Sequence, residues 1–190
     1  MRMRRAPRWM RVAMVGTLGA AVIGGVVAYE VKHAWPRRFA EVDAGKFYRG
    51  GYPTQRHLEV LHAQKNIRSV LSMVSPRPDD PRRCDEEKVA TDLGLTFLRL
   101  PMPGNGTGEF ESLDAAADFL AEPGNQPVFF HCAAGKQRSN AVLAAYRMKH
   151  CGWTVEQALA ELDEFGLDRV KEAKLCEHLV GYYHARIRHQ

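Results

Sequence analysis

Val128-Phe129-Phe130-His131-Cys132-Ala133-Ala134-Gly135-Lys136-Gln137-Arg138-Ser139 is the stretch on which the reading of this chain turns. Its first three residues form a continuous apolar run, as expected of a central strand buried on both faces. A helix is predicted from Arg138 to about His150, closed by Gly152. Cys132 to Arg138 therefore link the carboxyl end of a buried strand to a helix N-terminus, where backbone N–H groups lack intrahelical partners. Gly135 lets the segment curl, and a curl of successive amides is an anion nest. Arg138 can fold its guanidinium over the mouth of that nest and hold two phosphate oxygens. The same positive field favours the Cys132 thiolate, which is then placed for attack on a bound phosphorus. Ala133, Ala134, Gly135, Lys136 and Gln137 are the expected substrate-binding residues, Ser139 the donor to the departing thiolate, and His131 the residue that orients the loop.

Working outward, strands are expected at residues 46–49, 67–74, 96–102 and 128–130, and helices at 54–63, 84–93, 113–120, 138–150, 154–166 and 168–188. Thr154 and Gln157 have capping-box spacing. Strands alternating with helices predict an α/β fold: a central, mostly parallel sheet flanked by helices. In such sheets ligands bind beyond the carboxyl ends of the strands, where Cys132 lies.

The 190 residues, 45% of them hydrophobic, suffice for one well-cored domain. The net charge of +5 is concentrated at one end. Residues 1–38 hold eight Lys/Arg against Glu30, a local charge of +7 that leaves the remainder at −2. A slightly acidic globular part is no footprint for nucleic acid. The basic segment has another explanation. Residues 12–29 are uncharged and rich in Val, Ala and Gly, and as a helix would cover about 27 Å, close to the bilayer core. Five arginines precede them, so the positive-inside rule keeps the N-terminus in the cytoplasm and exports the rest of the chain, to the periplasm in a Gram-negative cell. The expected organisation is a basic tail (1–11), a transmembrane anchor (12–31), a juxtamembrane linker (32–45) and a catalytic domain (46–190). A cleaved signal peptide, with Val26-Val27-Ala28 as its processing site, is the competing reading.

The four cysteines, Cys84, Cys132, Cys151 and Cys176, show no metal-ligand spacing, so no metal is expected. Cys151 and Cys176 fall in apolar helical patterns and are expected to be buried. Cys84 is a candidate to trap Cys132 as a reversible disulfide. The run Gly104-Asn105-Gly106-Thr107-Gly108 lacks the spacing of a dinucleotide fingerprint and reads as a mobile loop. Arg77, Arg82 and Arg83 could add charge to the rim, although Asp79 and Asp80 lie among them.

His131-Cys132-Ala133-Ala134-Gly135-Lys136-Gln137-Arg138-Ser139 resembles the H-C-x-x-G-x-x-R-[S/T] phosphate loop of the protein tyrosine and dual-specificity phosphatases. The resemblance extends over roughly residues 39–180, with Phe47-Tyr48-Arg49-Gly50-Gly51-Tyr52-Pro53 similar to the start of small bacterial and fungal members. It implies a cofactor-free phosphatase with Cys132 as nucleophile and Arg138 as phosphate binder, acting on phosphorylated protein or a small phosphate ester. Two positions depart from the pattern. Asn140 stands where the family usually has Gly, and residues 103–110 lack the Asp that usually serves as general acid. Glu109 is the nearest carboxyl group, with Asp114 next. Either Glu109 replaces the acid, or the leaving group needs little protonation. Lys136 resembles the loop lysine of phosphoinositide and inositol-polyphosphate phosphatases, an alternative substrate class. A phosphate-binding pseudophosphatase without turnover is the alternative outside enzymology.

Overall fold

The computed structural model describes residues 34–76, 80 and 85–188. The expected transmembrane span lies outside them, as do Cys84, Arg77, Arg82 and Arg83. Among the described residues no helix is long and apolar enough to cross a membrane.

Residues 36–190 form one compact unit. Its elements are β1 (Ala40–Asp43), β2 (Phe47–Gly50), α1 (Gln55–Lys65), β3 (Ser69–Ser72), α2 (Glu86–Asp92), β4 (Thr96–Arg99), α3 (Phe110–Ala121), β5 (Val128–His131), α4 (Gln137–Cys151), α5 (Val155–Glu164) and α6 (Ala173–Tyr182). The sheet order is β1-β2-β5-β3-β4. Three of the four pairings are parallel, as expected, and β1 joins β2 antiparallel. The presence of β1 corrects the expectation that residues 32–45 are a linker. The β1 strand is a partly exposed edge without an apolar run, so period-two burial left little mark on its sequence.

The sheet is covered on both sides. Phe47, Leu71, Val128 and Phe130 share a core with Leu113, Leu120, Val142, Leu159 and Leu179 of α3 to α6. Their in-register neighbours Tyr48, Val70 and Phe129 point the other way, as strand alternation requires, and are buried outside that core. Each fully buried Leu or Phe contributes about 1.5–3 kcal/mol.

The helix termini follow local chemistry. Thr154 accepts from the Gln157 amide, and the Gln157 side chain accepts in return from the Thr154 amide. Thr54 and His57 form an equivalent box at α1, with a histidine ring in the place of the usual amide side chain. The predicted helix 168–188 begins later, at Ala173, because the Asp168 carboxylate accepts from the amides of Val170 and Lys171 and holds residues 168–171 in a turn. Cys151 ends α4 and is exposed, and Cys176 is half-buried. The expectation that both are buried fails for Cys151, where helical apolar periodicity runs out at the end of α4, and holds in part for Cys176, which packs against the core.

Candidate active site

The β5 strand sits between β2 and β3, and His131 is in register with Gly50 on one side and Ser72 on the other. Cys132 follows at the carboxyl end of this central strand, almost wholly buried. The curl that begins there is tied to both neighbours. Tyr52 donates its amide to the Ala133 carbonyl at 3.3 Å, and Met73 donates to the His131 carbonyl at 3.0 Å. Gly135 carries the turn at φ +67°. A Cβ there would fall 2.5 Å from the Gly50 carbonyl carbon and 2.6 Å from the Gly51 nitrogen. Only glycine meets both the conformation and the close approach.

The structure brings the predicted loop residues around one sulfur. Burial by itself pushes the Cys132 thiol up, but the Ser139 hydroxyl and the amides of Lys136, Ser139 and Ala134 outweigh it. The thiol therefore ionises below its ordinary value. The Ser139 oxygen is buried and has no other hydrogen-bond partner among the described residues, so the sulfur is the group it serves. Arg138 donates from Nη1 to the Met73 carbonyl at 2.9 Å, while its buried Nε has no hydrogen-bond partner among the described residues. One edge of the guanidinium is thus fixed by the β3 end and a donor remains for an oxyanion.

Three supports were not evident from the sequence. Arg49, on β2, is fully buried and donates from Nη2 to Asn140 Oδ1 at 2.6 Å and to the Gly135 carbonyl at 3.2 Å. Its guanidinium also stacks over Phe165, 4.4 Å from the ring centroid. Burial draws the Arg49 pKa down to about 10, against the attraction of the Cys132 thiolate and Glu161, so it stays charged at neutral pH. Asn140, the departure from the family pattern, is the buried acceptor that holds this cation under the loop. Arg38 binds the outer side, donating to the Ala134 carbonyl at 2.9 Å.

His131 is completely buried, stacked on Phe129 and edge-on to Tyr52. Its Nε2 lies 3.2 Å from Glu86 Oε1, without hydrogen-bond alignment. Burial keeps the ring below its ordinary pKa and so neutral. Glu86 is itself held by Ser72 at 2.8 Å and Arg99 at 3.0 Å. This chain of contacts runs from α2 through β3 and β4 to the strand that carries Cys132, and its link from His131 to the loop is through the backbone.

Lys136 pairs with Glu172 at 2.7 Å. Residues 103–108 form a loop, as expected, and it is packed against its neighbours. Gly106, at φ +82°, packs against the Gln137 carbonyl, and a Cβ there would lie 2.8 Å from its oxygen. Asn105 Oδ1 accepts from the amide and hydroxyl of Thr107, and the Gly108 carbonyl meets His178 Nε2 at 2.8 Å. Glu109 is exposed at the start of α3, and its carboxylate has no bonded partner among the described residues. Asp114 accepts from the Tyr182 hydroxyl at 2.8 Å and pairs with Lys149, on α4. Among the described residues no group of His, Cys, Asp or Glu could hold a metal ion. Cys132 is a free thiol, and the expected Cys84 partner lies outside the described residues.

Comparison with known proteins agrees with this geometry. The inositol diphosphatase SIW14 of Saccharomyces cerevisiae is 26% identical over 143 residues, which are 72% of this chain and 48% of that protein. The chain thus spans about half of SIW14. The dual specificity protein phosphatase TpbA of Pseudomonas aeruginosa is 25% identical over 176 residues, 86% of this chain and 76% of TpbA. The crystal structure of PTPMT1 in complex with PI(5)P shares the fold with a TM-score of 0.64 at 21% identity, covering 78% of this chain and 97% of that one. The crystal structure of TpbA does so with a TM-score of 0.59 at 22% identity, covering 78% and 90%. The profile of the tyrosine phosphatase family matches residues 34–187, and with that match over most of its length the chain belongs to the tyrosine phosphatase family.

Proposed function

We propose that this chain hydrolyses phosphate monoesters through a phosphocysteine intermediate. The observation that carries the reading is the Cys132 thiol, drawn below its ordinary pKa by the Ser139 hydroxyl and three loop amides despite its burial. The Cys132 thiolate attacks phosphorus, and the bond from phosphorus to the ester oxygen breaks. Loop amides and the free Nε of Arg138 receive the equatorial oxygens, whose charge is thereby matched. The leaving oxygen takes a proton from Glu109, the carboxyl group that lies just past the loop seated on Gln137. Water then attacks the phosphocysteine, giving its proton to Glu109. The P–S bond breaks, the Ser139 hydroxyl holds the departing thiolate, and inorganic phosphate leaves.

The substrate in this reading is phosphotyrosine, phosphoserine, phosphothreonine or a small phosphate ester. The likeness to an inositol diphosphatase supports a phosphoinositide or an inositol polyphosphate as the second substrate class. Residues 12–31 anchor the chain in the membrane in this proposal, with the catalytic unit exported. The uncharged run behind five arginines supports that orientation. A fused reporter should be active only outside the cytoplasm, and cytoplasmic activity would overturn it.

The chemical test is turnover of 4-nitrophenyl phosphate by the full chain. Cys132→Ser should abolish it, and Arg138→Lys should lower kcat/KM by about 10²- to 10³-fold, because a lysine cannot hold two oxygens at once. A folded, phosphate-binding chain without turnover would make the protein a binding module instead.

A further inference from the structure

Lys136 brings a second cation into the phosphate loop, yet its charge is already matched. Its Nζ lies 2.7 Å from Glu172 Oε1, with the lysine side chain one-third exposed and the glutamate side chain almost wholly buried. The other oxygen, Glu172 Oε2, is buried and has no hydrogen-bond partner among the described residues. Lys136 is therefore the cation that balances a carboxylate removed from water. Such a carboxylate is poorly tolerated alone.

Glu172 stands at the N-terminus of α6, where an acidic side chain would ordinarily turn back and accept from the amides of its own helix. It makes no such cap bond. Its backbone is fixed by donation to the Asp168 carbonyl at 2.8 Å, and its carbonyl receives the Leu175 and Cys176 amides. One turn further on, Leu175 lies against Gly106, the residue that packs on Gln137. The start of α6, residues 103–108 and the phosphate loop thus meet at one place, and the carboxylate of Glu172 reaches from the first to the third.

We propose that Glu172 is a specificity-determining residue that restrains Lys136 and so biases the loop against polyphosphorylated substrates. The inference rests on the phosphate-ester reading above. A single phosphate is served by the loop amides and Arg138. A substrate with a second, neighbouring phosphate needs a further cation, and Lys136 is the loop's own candidate. To answer it, Lys136 must leave Glu172, stranding a buried carboxylate beside an added anion. That penalty is subtracted from the binding of the polyanion and not from that of a lone phosphate.

The experiment compares two anions on the full chain carrying Cys132→Ser, so that binding is read without turnover. Affinities for inorganic phosphate and inositol hexakisphosphate are measured by calorimetry, with thermal unfolding as the check on folding. Adding Glu172→Gln should raise the ratio of hexakisphosphate to phosphate affinity by about tenfold, a change set by removal of a like charge next to the anion. The gain should shrink as salt is added. In the double variant Lys136→Gln/Glu172→Gln the ratio should return to near its starting value. Glu172→Asp, which keeps the charge but shortens its reach, should give a smaller rise and guards against a folding defect in the neutral variant. An unchanged ratio in the folded Glu172 variants would overturn the proposal, as would a rise that persists without Lys136. Absence of aryl phosphate turnover in the chain with Cys132 intact would count against the phosphatase reading alone.

Discussion

Behind Cys132 the phosphate loop rests on buried polar and charged side chains, whereas in front of it stands an exposed carboxylate, Glu109, with no bonded partner among the described residues. On the inner side Arg49, Asn140, His131 and Glu86 are all buried, and each is oriented by a short contact to another element. On the outer side residues 103–108 reach the loop through Gly106 and Gln137, and Glu109 stands exposed beyond them. Removing an ion from water costs several kcal/mol, so the buried charges of Arg49 and Glu86 are held by their contacts with Asn140, Ser72 and Arg99. The contrast separates two demands of the chemistry. Capturing a phosphate requires donors that do not move, while delivering a proton requires a group that can meet a leaving oxygen. In the proposed mechanism the first demand falls to side chains in the core of this fold and the second to Glu109, at its surface.

The largest effect should come from disturbing the inner side at its tightest point. Gly135→Ala places a methyl group within 3 Å of three backbone atoms of Gly50 and Gly51, at a φ that alanine resists. The loop must lift, and kcat/KM for an aryl phosphate should fall by about 10³-fold as donors and nucleophile lose their alignment. Near-normal kinetics in a folded variant would show that the loop does not depend on its contact with β2. On the outer side, Glu109→Gln should lower kcat by about 10²-fold for an alkyl phosphate and much less for 4-nitrophenyl phosphate, whose leaving group needs little help. Equal rates for wild type and variant with the alkyl ester would remove Glu109 from the mechanism.

The same division explains how much of the site is legible in the order of amino acids. Cys132, Gly135, Arg138 and Ser139 are close in sequence because a strand, a curl and a helix start must succeed one another, so this part of the candidate site is legible as a string. The alternation of buried strands and helices is legible for the same reason, since periodicity is local. The inner supports are not. Arg49 lies 91 residues from Asn140, and nothing in the string says that a β2 arginine points under a loop that comes after β5. Only the register of Arg49 beside Phe130 places it there. Asn140 looks like a defect in a motif as long as its partner is out of view. The β1 strand is missed because a half-exposed edge of four residues has no apolar signature, and the turn at residues 168–171 because an aspartate side chain displaces a helix that the apolar spacing favours.

The smallest effect, and the one that bears most directly on the inner side, concerns the Arg49–Asn140 pair. Asn140→Ala leaves the buried Nη2 without its shortest acceptor, and Arg49→Met leaves the Gly135 carbonyl and Asn140 unserved. Each should lower stability by about 1–3 kcal/mol, with the double variant losing less than the sum because the two share one bond. Their effects on the thiol should differ. Arg49 and the Cys132 thiolate attract one another, so losing the cation favours the neutral thiol and raises its pKa. The acid limb of the kcat/KM profile, and the pH dependence of Cys132 alkylation, should move to higher pH in Arg49→Met and little in Asn140→Ala, where the charge remains. The linkage has a definite sign. A thiol whose native pKa is depressed contributes stability that is fully present above its unfolded value near 9 and is lost as pH falls through the lowered native value. Arg49→Met brings the two values closer, so the part of native stability that grows with pH in this window should shrink. An unshifted alkylation profile in a folded Arg49→Met chain would mean that the loop amides and Ser139 hold the thiolate unaided, and that the buried arginine serves geometry alone.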